Sequence, residues 1–212
     1  MTSADHVLDP DGDMTIVLKN PGAPFKVTQS LWWDGVPHPE RKKEVTFLVS
    51  SKHLSLGSNY FRRALQGPWA ENCTDGMKRF EAHDWEESTF LLVLCAIHGR
   101  MHGIRLSFNL DTLVDVARVV NYYQCSEAAF VLVGGNMDDF SNPWTRLDVR
   151  DRVLEIFIFF AFNMAEKFLW ATNNCILYSH DVVFNVDAEL GLPDEIVGMY
   201  WRLMQVNGLL LV

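Results

Sequence analysis

The sequence predicts an α+β protein in which a small β-sheet packs on a cluster of α-helices and an α-helical C-terminal extension follows. Two β-rich runs, Met14 to Leu18 and Val45 to Val49, come first, with Leu54, Ser58, Phe61 and Leu65 at helical spacing directly after them. One more short strand, Met77 to Ala82, then precedes two amphipathic helices with apolar faces at Phe90, Leu91, Leu94, Ile97 and at Leu110, Leu113, Val114, Ala117, Val120. From Asp148 onward the pattern is helical almost throughout.

Each element has local reasons. Residues 1–10 are polar and acidic and read as a loose lead-in, and Asp11-Gly12-Asp13 makes the turn that opens the first strand. Asn20-Pro21-Gly22 ends that strand. A long polar insertion, residues 28–44, holds Pro37, Pro39 and the basic cluster Arg41, Lys42, Lys43, so the two strands form a hairpin with an overgrown loop, either variable surface or a binding element. Lys52 to Gln66 reads as two short helical turns or one bent helix, stopped by Gly67-Pro68. Glu71 to Gly76 is a loop, Asp84 is the expected cap of the next helix, and Gly99 ends it. Asn109 or Ser107 caps the second of the pair, which stops near Tyr122-Tyr123. A third helix starts near Ser126, Gly134-Gly135 interrupts it, and Pro193 suits the first turn of a last helix.

The charge balance removes several function classes. A net charge of -9 over 212 residues repels phosphate backbones and anionic membranes, and Glu40 and Glu44 flank the one basic cluster. Nucleic acid and membrane are therefore not expected partners. Cys73, Cys95, Cys125 and Cys175 lack paired spacing, so free thiols, no zinc and no cofactor are expected. The acidic start does not look like a secretory leader, and the apolar run Val153 to Ala165 is too short for a bilayer and contains Glu155. An intracellular chain, in cytoplasm or nucleus, is the expectation.

Motifs for catalysis are weak. Asp9, Asp11 and Asp13 alternate as in a calcium loop, but Gly12 comes too early and Asn20 stands where a bidentate Glu belongs, so a turn with Asp13 accepting backbone hydrogen bonds is the better reading. His98 and His102 have a zinc-like spacing, yet Gly99 and Gly103 place them at a helix end, where they are expected to cap the terminus. No serine sits on a G-x-S-x-G elbow, and Gly134-Gly135 lacks the Lys of a phosphate loop. Phe157, Phe159, Phe160, Phe162, Phe168 and Trp170 read as core, with the wall of a ligand pocket as the alternative. Trp32 and Trp33, adjacent indoles in the polar insertion, are candidate partner-binding residues; folding back as a lid on the hairpin is the competing reading.

Several segments carry a resemblance to a known family. Gly12-Asp13, SSKHLSLGSNYFRRAL at Ser50 to Leu65, GPWAE at Gly67 to Glu71, HDW at His83 to Trp85, IHGR at Ile97 to Arg100 and VVNYYQC at Val119 to Cys125 resemble BTB/POZ domains of filamentous fungi. The resemblance covers residues 11–125 and continues more faintly through Arg150 to Ile176 and Leu192 to Val197, which makes residues 126–212 the helical extension. It marks Asp13, Leu54, Ser58, Phe61, Trp69, Trp85, His98, Tyr122 and Tyr123 as structural motif positions. Leu54 and Phe61 would fill the core, and Ser58 would let helix and sheet approach while returning a hydrogen bond to the preceding turn. The sequence departs from animal members at Ser50, where they usually carry His, and at Ser51, where their transcription factors place a basic residue that forms a charged pocket with the Asp13 position.

The resemblance implies a protein-protein interaction module, non-catalytic, that forms a homodimer or serves as an adaptor, for instance toward a cullin-type ubiquitin ligase. The competing expectation is an enzyme or small-ligand-binding protein with the aromatic cluster of the C-terminal half as its pocket. A degenerate copy with altered partner choice is a third, suggested by the apolar end Gly208 to Val212.

Overall fold

A computed structural model describes residues 4–22, 43–66, 73–74, 77–104, 108–134, 149–178 and 198. Most of the insertion with Trp32 and Trp33, Trp69, and all but residue 198 of the expected helix after Pro193 lie outside them. Five strands, β1 (His6–Val7), β2 (Met14–Lys19), β3 (Glu44–Val49), β4 (Cys73–Thr74) and β5 (Met77–His83), form one sheet in the order β1-β3-β2-β5-β4. The expected hairpin is present: β2 and β3 run antiparallel with Met14 opposite Val49 and Lys19 opposite Glu44. β5 lies parallel to β2 on its other side, pairing Met14 with Lys78 and Leu18 with Ala82. A parallel pair needs a crossover, here supplied by α1 (Ser51–Gly57) and α2 (Asn59–Gln66).

The period-two pattern sets the core. Met14, Ile16 and Leu18 of β2 and Val45, Phe47 and Val49 of β3 are buried in one apolar cluster with Leu54, Phe61, Phe90, Leu94 and Leu113. The expected convergence of the helices beneath the sheet is therefore observed. Four helices follow β5 in this cluster: α3 (Glu87–Ile97), α4 (Leu110–Tyr123) and the short α5 (Ser126–Ala129) and α6 (Val131–Gly134). Of the extension, α7 (Val149–Ala161) packs against both α4 and α8 (Ala165–Tyr178) and contributes Val153, Leu154, Phe157 and Phe159 to the same cluster.

Several local expectations need correction. Residues 4–10 are not a loose lead-in: β1 pairs parallel to β3, Leu8 is buried, and Asp5 accepts hydrogen bonds from the Thr46 N–H and hydroxyl. The expected loop at 71–76 contains β4, paired antiparallel to β5. Asp84 does not cap α3. Its backbone is left-handed, with φ of 61°, and its N–H donates to the Lys19 carbonyl at the end of the sheet. Glu86 is the cap instead, accepting from the Thr89 N–H at 2.7 Å and the Ser88 hydroxyl at 2.5 Å. Asn109 caps α4 as expected, through the Thr112 N–H.

Of the two readings of 52–66, two short helical turns or one bent helix, the structure shows the first, with a full break at Ser58. There the chain is extended, so α1 ends and α2 begins anew. The Ser58 hydroxyl does not bond the preceding turn. It donates to the Tyr123 carbonyl at the end of α4, at 2.5 Å, and accepts from the Phe61 N–H at 3.1 Å. One buried oxygen thus caps α2 and ties it to α4. Phe61 then stacks on Tyr123 with ring centroids 4.8 Å apart.

Gly12 has a different reason to be small. A Cβ there would stand 2.7 Å from the Val49 carbonyl oxygen and 2.9 Å from that of Asp9. The Asp9 carbonyl accepts from the Gly12 N–H, and its carboxylate from the Asp11 N–H, so this acidic stretch is a self-bonded turn.

Candidate functional site

Two polar or aromatic constellations stand out from the core. The first joins three chain segments at the open end of the hairpin. Asp13, at the start of β2, accepts from the Ser51 N–H at 2.7 Å and the Ser51 hydroxyl at 2.6 Å. Lys78 of β5 completes it, with Nζ 3.2 Å from the Asp13 carboxylate and 2.9 Å from the Ser51 oxygen. Burial acts to raise the Asp13 pKa, but the two Ser51 bonds and the Lys78 ammonium outweigh it and bring it down to about 2. An acid–base pair therefore exists at this end of the hairpin, with the cation supplied by Lys78 rather than at position 51.

Beside it, the Ser50 N–H donates to Nε2 of His98 at 3.1 Å, and Nδ1 of His98 lies 2.8 Å from the Leu94 carbonyl. That pair of contacts requires Nδ1 to carry the proton and Nε2 to be bare, the neutral tautomer. Burial lowers the His98 pKa further, and His53, whose ring centroid is 5.3 Å away, adds to this. His98 does close the end of α3, as expected, but as a neutral ring and not as a cation answering the helix dipole. His102 is exposed in the following turn.

The second constellation is a cleft of 340 Å³ between the end of β5 and the helices α2 and α4. Phe80, Trp85, Tyr60, Tyr122 and Tyr123 supply its rings, with His83 and Asp84 at the strand end. Tyr122 is the hub: its ring lies 5.3 Å from Tyr60, 5.5 Å from Trp85 and 4.8 Å from Tyr123. The Trp85 indole N–H donates to the Tyr123 hydroxyl at 3.2 Å. Burial pushes the Tyr60 hydroxyl up to about 12, assisted by its hydrogen bond with Tyr122. Such a site can bind, and among its described lining residues no nucleophile is paired with a base.

No family model and no curated protein matches this chain. Among the described residues no group of three or more His, Cys, Asp or Glu is placed to hold a metal ion, and no helix is long and apolar enough to cross a membrane.

The motif positions fall into three places. Leu54 and Phe61 are fully buried core, while Asp13 and His98 belong to the hairpin-end cluster. Trp85, Tyr122 and Tyr123 meet in the aromatic cleft, and Ser58 bonds the carbonyl of Tyr123 just behind it. Trp32, Trp33 and Trp69 lie outside the described residues. Sequence reasoning missed Lys78, Tyr60 and Phe80, and alternation along β5 was the only available signal for two of them. Of the aromatic cluster in the extension, Phe157, Phe159 and Phe162 are core, whereas Trp170 is partly exposed on α8.

Proposed function

We propose that this chain is a BTB/POZ-type protein-interaction module that works by surface complementarity and carries out no reaction of its own. The observation that carries the reading is the path from β3 through the two short helices α1 and α2 into a strand parallel to β2, followed by the α3–α4 pair. This order supports the outline of hairpin, helical segment, strand and helix pair by which the sequence resembles this family, with two short helices in place of one bent helix. Apolar side chains remain on the outside of the helices, foremost Leu56 on α1, which is 79% exposed, with Phe130, Val131 and Leu169 elsewhere. Covering such residues is what a stable interface does, over an area on the order of 1,600 Å².

A second copy of the chain is the first partner this reading names, since two-fold self-association is the commonest assembly of soluble chains. A cullin-type ligase scaffold is the second, and the setting is the cell interior. The alternative of a ligand pocket in the helical half has less support, because Phe157, Phe159 and Phe162 are spent in the core.

Light scattering on the purified chain as it leaves a sizing column, across a range of loading concentrations, reads self-association directly. Titration with purified cullin amino-terminal domains reads the adaptor role. A mass twice that of the chain, weakened by Leu56→Asp, supports the proposal. A monomer at every soluble concentration that also ignores the cullin domains refutes it.

A further inference from the structure

The aromatic cleft has no part in the interaction surface proposed above, and its chemistry points to a ligand of its own. Cores bury rings; this cleft leaves them accessible. Tyr122 is 52% exposed, and Tyr60 and Trp85 are only partly covered. The three form a continuous aromatic wall, because Tyr60 and Trp85 both pack on Tyr122. The faces of such rings are electron-rich and attract a cation, most strongly where water is displaced.

The charged lining decides the sign. Among the described residues no lysine or arginine lines the cleft, whereas Asp84 stands exposed at its edge and Glu81 contributes from the adjoining strand. The Glu81 carboxylate is engaged by Arg79 at 3.6 Å and Lys19 at 3.9 Å, whereas Asp84 accepts a long 3.4 Å bond from the Asn20 amide at Oδ1 and keeps Oδ2 for a ligand. An anion would meet repulsion from Glu81 and Asp84, with His83 the one basic side chain among the described lining residues, and a neutral apolar group would gain nothing from Asp84.

The number of acceptors decides the kind of cation. A primary ammonium carries three N–H donors and is strongly hydrated, and beside Asp84 this wall offers it chiefly the Tyr60 and Tyr122 hydroxyls, which are bonded to each other, so it would be short of partners. A methylated ammonium has few or no donors to satisfy and presents methyl groups to the rings. We infer that the cleft formed by Tyr60, Trp85, Tyr122 and Asp84 binds the trimethylammonium head of a methylated lysine side chain on a partner peptide. A volume of 340 Å³ is at the small end for ligand sites, which suits one side-chain head and not a large cofactor.

The inference does not depend on self-association, so the test is run on the full chain by calorimetry, whatever its oligomeric state. A short basic peptide is titrated in three forms: with trimethyllysine, with unmodified lysine, and with the neutral all-carbon isostere of trimethyllysine. Tetramethylammonium is titrated separately while the Trp85 indole N–H signal is followed by NMR. The trimethylated peptide should bind about tenfold more tightly than the neutral isostere and than unmodified lysine, a difference of the size cation–π contact supplies. Tetramethylammonium should move the Trp85 signal and bind more weakly than the peptide.

Tyr122→Ala, which alters a half-exposed ring, should lower the peptide's affinity about tenfold with circular dichroism unchanged. Asp84→Asn retains a residue that tolerates the left-handed backbone and should cost roughly threefold to tenfold. Equal binding of the neutral isostere, absence of binding by all forms, or unchanged affinity in Tyr122→Ala overturns the inference. Tetramethylammonium binding as tightly as the peptide overturns the assignment to a lysine side chain.

Discussion

Replacing Ser58 by alanine removes a single oxygen, and the structure allows its effect to be worked out. The hydroxyl is buried, so water cannot take over either of its bonds without opening the helix pair. Loss of the bond from the Phe61 N–H is the loss of an N-cap, about 1 kcal/mol. Loss of the donor to the Tyr123 carbonyl strands a buried acceptor, about 1–2 kcal/mol more. The sum, about 2–3 kcal/mol, should lower Tm by roughly 5–10 °C in a chain of this length. Ser55→Ala is the control. Its hydroxyl bonds the Ser51 carbonyl within α1 at a half-buried position, so its loss should stay within about 0.5 kcal/mol. Urea denaturation followed by far-UV circular dichroism measures both. If Ser58→Ala is no worse than Ser55→Ala, the hydroxyl is not the tie between α2 and α4, and the reasoning fails.

Three further outcomes follow from named contacts. Gly12→Ala places a methyl against two backbone carbonyls and should destabilise by about 2 kcal/mol, measured by the same denaturation; a neutral effect would mean that the turn can move aside. Asp13 has a folded pKa near 2 against 3.8 for a free side chain, so its stabilisation is complete above 3.8 and lost as pH falls toward 2. Because Asp13 is half exposed, Asp13→Asn should cost only about 1 kcal/mol at neutral pH, and it should flatten that acid limb. Glu155 runs the other way. It is buried, its Oε1 has no hydrogen-bond partner among the described residues, and burial raises its pKa from 4.5 to about 7, so stability should fall as pH rises through that interval. Glu155→Leu should abolish the decline and stabilise by about 2 kcal/mol above pH 7; a variant less stable than the parent would refute the burial argument.

Much of the fold was legible because it rests on local periodicity. The alternation in β2 and β3 and the apolar stripes of α3 and α4 state their own buried faces, and Asn109 caps α4 where a capping residue precedes an apolar run. β1 was illegible because two residues make no period; only its pairing with β3 holds it. Asp84 misled because aspartate serves both caps and left-handed turns, and its choice depends on the Lys19 carbonyl above it. The site was harder still. Lys78 meets Asp13 only through the parallel pairing of β5 with β2, and Tyr60, Phe80 and Trp85 meet Tyr122 only once α1 and α2 have crossed over. Chain-distant convergence of this kind leaves no spacing signature.

The parallel pairing of β2 with β5 also dictates an order of events during biosynthesis. As the chain emerges from the ribosome, β2 meets β3 first, but its other edge stays bare until the crossover and Lys78 to His83 have been made. Contacts between such distant segments form slowly, because the intervening loop must close before any of them is rewarded. During that interval Ile16, Val17 and Leu18 sit beside an unpaired strand edge, the kind of surface on which nascent chains aggregate. Yield in a fast expression host should therefore improve when synthesis is slowed or cooled, even for variants whose finished stability is unchanged.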